Sequence, residues 1–139
     1  YHVQFEGGRD VASRTVVLAD RKVFVTPMEE GLRVGGTVEI AGLRAPPDPR
    51  RAAVLERIAR GDFPRLEQLS TRTWMGPRPC MPDSVPVAGP APAHRGLWIA
   101  TGHGHLGLTD SLGTAQRIAQ GVLGGEAPLA AGDAALARA

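Results

Sequence analysis

In the first third of the chain, apolar residues fall in runs too short for helices. Tyr1 to Phe5, Val16 to Leu18 and Val23 to Thr26 are β-branched-rich stretches bounded by Gly, Asp, Arg or Pro, the pattern of short strands. From Gly31 to Gly42 the chain alternates, with Leu32, Val34, Thr37 or Val38, and Ile40 separated by polar residues. The Gly35-Gly36 pair interrupts this period of two, which marks either a bulge or a close approach of another backbone. These runs predict an antiparallel sheet.

The period then changes. Ala45-Pro46-Pro47-Asp48-Pro49 ends the strand pattern, and Asp48 is a good N-cap before a proline suited to the first helical position. Val54, Leu55, Ile58 and Ala59 form the apolar face of a surface helix, with Gly61 as its expected C-cap and Pro64 blocking continuation. Thr71 to Met75 resumes an extended run. Between Gly76 and Pro92 the chain carries six further prolines, a density that predicts a stiff loop and excludes a central strand for most of the segment. Gly96 to Thr101 reads as a buried strand that enters a glycine-rich loop. A helix from about Thr109 or Asp110 to Leu123 follows, with Leu112, Ala115, Ile118, Ala119 and Val122 as its expected buried face and Gly124-Gly125 as its stop.

The loop Gly102-His103-Gly104-His105-Leu106-Gly107 satisfies G-x-G-x-x-G between a strand and a helix. Its glycines let backbone approach a ligand, and the helix N-terminus behind it offers free N–H groups and partial positive charge. A dinucleotide fold also needs a second parallel strand with an acidic ribose anchor, and after Leu123 only Gly124, Gly125, Glu126 and an Ala-rich tail remain. The loop is therefore read as a ligand-approach element without its own dinucleotide unit. The competing reading is a plain tight turn. His103 and His105 lack the third ligand or carboxylate cluster of a metal site, so no metal is expected.

Composition narrows the class further. The chain has 139 residues, 42% hydrophobic and 22% charged, which suits a globular protein with one core. The sequence pI is about 9.3. Lys22 is the only lysine among 16 basic residues, and these are interleaved with 14 acids for a net charge of +2. No basic run exceeds Arg50-Arg51 and no aromatic residues interleave with it, so no nucleic-acid partner is expected. No apolar run reaches the roughly 18–20 residues of a membrane span. Cys80 is the one cysteine; it reads as a passive thiol, with a nucleophile as the alternative, and points to a reducing, cytoplasmic compartment, a peripheral place at the inner membrane being the second option. The start Tyr1-His2-Val3-Gln4-Phe5 reads as the middle of a strand, so the chain is expected to begin inside a longer protein.

Two long segments carry a resemblance. Trp74-Met75-Gly76-Pro77-Arg78-Pro79-Cys80-Met81-Pro82-Asp83-Ser84-Val85-Pro86-Val87-Ala88-Gly89, followed by Gly102 to Thr109, resembles the C-terminal signature of the FAD-dependent D-amino-acid dehydrogenase and oxidase family, which includes glycine and sarcosine oxidases. Thr26 to Ile40 looks like the same family's substrate-domain strands, and the likeness extends from Tyr1 to about Gly125. The resemblance implies FAD as cofactor and a small amino-acid substrate. It implies that Arg78 grips the substrate carboxylate, a task suited to a planar, permanently charged fork. The alternative for Arg78 is a structural ion pair. It implies that Gly102, His103, Gly104, His105, Leu106, Gly107, Leu108 and Thr109 lie against the flavin, with Thr109 also able to cap the helix. Tyr1 and His2 resemble a pair on a strand facing the active site, and His105 is a further pocket residue. The Asp110 side chain is expected to point away from the flavin.

The resulting expectation is an α+β fold: a mostly antiparallel substrate-domain sheet with one helix over residues 1–75, the C-terminal strand–loop–helix of an FAD-binding domain over 76–125, and a tail over 126–139 that carries little information and frays. The family's N-terminal dinucleotide-binding unit has no counterpart here, so a region supplying it, in the same or another chain, is expected. The function expected is oxidation of the CH–NH group of a D-amino acid or related amino acid. The alternatives are a non-catalytic binding or assembly module and an inactive fragment.

Overall fold

A computed structural model describes residues 1–124, and the chain divides into two compact units, Tyr1–Pro77 and Arg78–Ala139. The tail expected at 126–139, and Gly125 in the expected helix stop, lie outside the described residues.

The first unit is an antiparallel sheet of β1 (His2–Glu6), β2 (Val16–Leu18), β3 (Val23–Met28), β4 (Gly31–Gly35) and β5 (Thr71–Trp74), in the order β2-β3-β4-β1-β5, with α1 (Pro49–Asp62) between β4 and β5 in sequence. Alternation sorts its side chains. Val25 pairs with Val34, Val34 with Val3, and Leu32 with Phe5, and all five lie on one fully buried face. Ala52, Leu55 and Ala59 of α1 close that face, and Leu66 completes the cluster from a 3-10 turn at Pro64–Leu66. Each large side chain so buried contributes roughly 1.5–3 kcal/mol.

Asp48 caps α1 as its sequence predicts. It is extended at φ −95°, ψ 105°, and its carboxylate accepts from the Arg50 amide at 3.0 Å, with Pro49 behind it. Hydrogen bonds from the Arg50 side chain, then from its amide, hold the Asp48 carboxyl below its ordinary range. A depressed carboxylate contributes stability that is present above its unfolded pKa and is lost as pH falls through the folded value. Asp48→Ala is therefore expected to lower the melting temperature at pH 7, with the gap to the parent protein closing as pH falls below about 4. Thermal melts of both proteins at pH 7 and pH 3 check it; an equal gap at both would contradict the cap.

Four expectations shift. β3 runs past Thr26 through Pro27 to Met28, because β2 begins only at Val16, opposite Val25, and leaves the rest of β3 an edge where a missing N–H is tolerated. The alternating run after Gly31 stops being a strand at Gly35. Gly36 sits at φ 154°, where a Cβ would strike the Lys22 carbonyl, so the glycine pair serves a close backbone approach rather than a bulge. Beyond it Ile40 is fully exposed. α1 continues through Gly61 to Asp62 and caps at Phe63, while Ala52 replaces the exposed Val54 on its buried face.

The second unit pairs β6 (Val87–Pro90) with β7 (Trp98–Thr101) in an antiparallel ladder, followed by α2 (Ser111–Val122). β6 thus places a short strand inside the proline-rich stretch, at an edge where Pro90 fits. β7 is not buried as expected: Ala100 and Thr101 are exposed. Nor is the predicted α2 face, since no residue of the helix is buried and Leu112 is 83% exposed. The apolar stripe is there, but a two-stranded sheet does not cover it among the described residues.

Candidate functional site

The glycine loop is positioned by β7 before it, α2 after it, and a segment the sequence did not connect to it. Cys80 forms a backbone bridge with His103, and the Gly104 amide donates to the Pro79 carbonyl at 3.1 Å. The Arg78-Pro79-Cys80-Met81 stretch and the loop therefore run side by side. Sequence reading missed this pairing, because its partners lie more than twenty residues apart and Cys80 carries no motif. Gly102 sits at φ 81°, and a Cβ there would meet Met81 Cγ at 2.5 Å. Gly104 sits at φ 56°. Both positions select glycine on physical grounds, one for backbone hand and the other for hand and space together.

From His103 the loop turns back on itself. Leu106 N donates to His103 O at 3.0 Å and Asp110 N to Leu106 O at 2.9 Å. Among the described residues, the amides of Gly107, Leu108 and Thr109 donate to no acceptor. They precede the first turn of α2, so three N–H groups without an acceptor among the described residues lie next to a helix N-terminus in sequence. Thr109 is not the cap. Asp110 holds that position with no side-chain capping bond, and Ser111 Oγ donates to Leu108 O at 2.7 Å. His103 is also not free: its Nε2 lies 2.9 Å from Thr114 Oγ1 on α2, pinning the loop to the helix. His105 is exposed, and no metal-holding cluster occurs among the described residues. Along β7 and α2, Ala100, Ala115, Ile118 and Val122 line an open groove of about 570 Å³ that reaches His103 and Gly107.

Arg78 is exposed and makes no hydrogen bond or ion pair among the described residues, so the structural ion-pair alternative finds no partner there. In the first unit, Tyr1 and His2 divide. The Tyr1 hydroxyl donates to Glu39 at 2.7 Å and accepts from the Asp48 amide at 2.7 Å, and Glu39 also pairs with Arg51 at 3.4 Å. Tyr1 thereby braces the loop between β4 and α1, and its hydroxyl pKa is raised by the Glu39 bond. His2 instead stacks on Trp74, centroids 5.0 Å apart and planes 19° from parallel. Burial, then the nearby Arg33 charge, lowers the His2 pKa and favours the neutral ring.

The family model for FAD dependent oxidoreductases matches residues 1–121. The chain is 40% identical over 132 residues to a D-amino-acid oxidase of Bradyrhizobium diazoefficiens, a match covering 92% of this chain and 31% of that protein. It is also 40% identical over 106 residues to a D-amino acid dehydrogenase of Xylella fastidiosa, covering 76% of this chain and 24% of the relative. The chain thus spans between about a quarter and a third of the length of the curated relatives it matches.

Proposed function

The chain belongs to the FAD-dependent oxidoreductase family, and from that premise we propose that it is the part of a D-amino-acid oxidase- or dehydrogenase-like enzyme that finishes the flavin site and grips the substrate. The observation carrying this reading is the run of three amides, of Gly107, Leu108 and Thr109, that donate to no acceptor among the described residues just before α2, behind two glycines held at positive φ. Such a cradle fits a ligand that brings partial negative charge close to backbone, as the pyrimidine edge of a flavin does.

In this reading bound FAD would supply the acceptor for the substrate's Cα hydride, and the oxidised product would be an imine that water hydrolyses to a keto acid and an amine or ammonia. Arg78 binds the substrate carboxylate through its free guanidinium fork, held on a stiff Pro77–Pro79 segment. His105 lines the pocket from the exposed side of the loop. Gly102 and Gly104 let the backbone come close, and His103 acts through its bond to Thr114, keeping the loop against α2. On the first unit, His2 is a substrate-side residue through its ring, and Tyr1 acts by bracing the loop that follows β4. This chemistry requires no protein nucleophile.

The apolar stripe of α2, uncovered among the described residues, supports a further part of the proposal: a dinucleotide-binding region, in the same or another chain, packs over it. The same stripe also favours the second reading, a non-catalytic assembly module. The two readings predict different spectra. With a dinucleotide-binding region present, the flavoprotein reading expects protein-bound absorbance near about 450 nm, where bound flavins absorb. Purification of that complex with no such absorbance after loading with FAD would favour the assembly module.

A further inference from the structure

Thr114 belongs to neither segment expected to meet a ligand, yet it holds one of them in place. It stands half-buried in the first turn of α2, with its Oγ1 2.9 Å from His103 Nε2. Its amide is already used within the helix, donating to the Asp110 carbonyl at 3.0 Å. The hydroxyl is therefore the polar group through which this position reaches the loop. α2 has a seat of its own besides that bond, because the Trp98 ring of β7 fills the space beside Gly121 and leaves no room for a Cβ.

His103 is a junction. Its ring meets Thr114, and its backbone forms the bridge with Cys80. On one side of that bridge the Gly104 amide donates to the Pro79 carbonyl at 3.1 Å, and on the other Met81 fills the space beside Gly102. Gly102, His103 and Gly104 thus meet Met81, Cys80 and Pro79 in antiparallel order. Arg78 is the next residue beyond these contacts. Pro79 fixes its own φ and restricts the backbone of the residue before it, so little slack separates Arg78 from the bridge. A displacement of His103 is passed to Arg78.

We infer that Thr114 is a positioning residue for the substrate: its hydroxyl, through His103 and the Cys80 bridge, sets where the Arg78 guanidinium stands. The inference rests on the reading of Arg78 as the group that grips the substrate carboxylate. A guanidinium fork binds a carboxylate through two parallel N–H···O bonds, and this geometry tolerates little displacement. Thr114 therefore acts on substrate binding without touching substrate. A purely structural threonine would instead steady α2 alone, and the two roles separate experimentally.

The test is Thr114→Val in the full-length flavin-loaded protein, which keeps the β-branched shape and removes the hydroxyl. KM for a D-amino acid is expected to rise about three- to tenfold, the range of one neutral hydrogen bond, while kcat changes by less than about twofold. Thr114→Ser keeps a hydroxyl and is expected to hold KM within about twofold of the parent. Hydrogen exchange reads the linkage without turnover. The Gly104 amide is expected to exchange at least about threefold faster in Thr114→Val, with the Ile118 and Ala119 amides of α2 unchanged. Circular dichroism checks the fold, and Thr114→Ala serves if the valine variant misfolds. In an Arg78→Ala background, adding Thr114→Val is expected to change KM by less than about twofold, because the positioned group is gone. Undiminished oxidation by Arg78→Ala would remove the carboxylate role of Arg78, whereas the exchange result stands apart from that role. The inference is overturned if Thr114→Val matches the parent in KM, if the serine variant is as impaired as the valine, if Gly104 exchange is unchanged or quickens only together with α2, or if the effects of Arg78→Ala and Thr114→Val multiply.

Discussion

Replacing Arg78 by alanine in the full-length enzyme is expected to lower kcat/KM for a D-amino acid by about 100- to 1,000-fold. The figure follows from the bonds removed. A hydrogen bond to a charged group is worth about 1.5–3 kcal/mol and a guanidinium fork makes two to one carboxylate; the lower end of their sum, about 3–4 kcal/mol for an exposed arginine, corresponds to that range of rate. Arg78 is suited to the task because it is uncommitted among the described residues. Its neighbours on both sides are prolines, which restrict the backbone that carries it. Arg78→Lys keeps the charge and loses the planar fork, so it is expected to recover part of the activity and not all. Initial rates at limiting substrate decide the matter. Undiminished oxidation by Arg78→Ala would remove this residue from the substrate site.

The second large effect concerns the core. Phe5→Ala is expected to destabilise the first unit by about 3–5 kcal/mol, read from urea unfolding at neutral pH. Phe5 is fully buried on the face that α1 covers, and its side chain is the largest of the fully buried ones among the described residues. It also supports a second feature. The Arg60 guanidinium lies 5.1 Å over its ring while pairing with Glu56 and donating to the Leu66, Glu67 and Leu69 carbonyls. Arg60 in this way ties the end of α1 to the turn that leads into β5. Removing the ring takes away its packing and the surface on which that guanidinium rests. A measured loss below about 1 kcal/mol would mean that the pocket collapses around the missing ring, and that Phe5 is less central than its burial indicates.

Local signals in the sequence were reliable where local physics decides the outcome. β2 at Val16–Leu18 and the Asp48-Pro49 start of α1 appear at the positions the residues predict, because β-branching and capping act within a few residues. Boundaries shifted where a neighbouring element decided them. Pro27 stays in β3 because β2 is short, and Gly36 ends β4 because the Lys22 backbone comes close. The apolar faces of β7 and α2 were legible as patterns, whereas their burial depends on a covering layer that a pattern cannot supply.

The glycine loop shows the same division. Its glycines, its place between a strand and a helix, and its family resemblance were all determined by the sequence itself, since backbone hand and chain order are local properties. Three other features were decided only by the tertiary structure. Thr114 holds His103, Pro79 and Cys80 run beside Gly104 and His103, and Met81 stands where a side chain at residue 102 would go. The register of the first unit's sheet is of this second kind as well. Phe24, Gly35, His2 and Trp74 are scattered along the chain and become neighbours only through strand register, which long-range pairing sets.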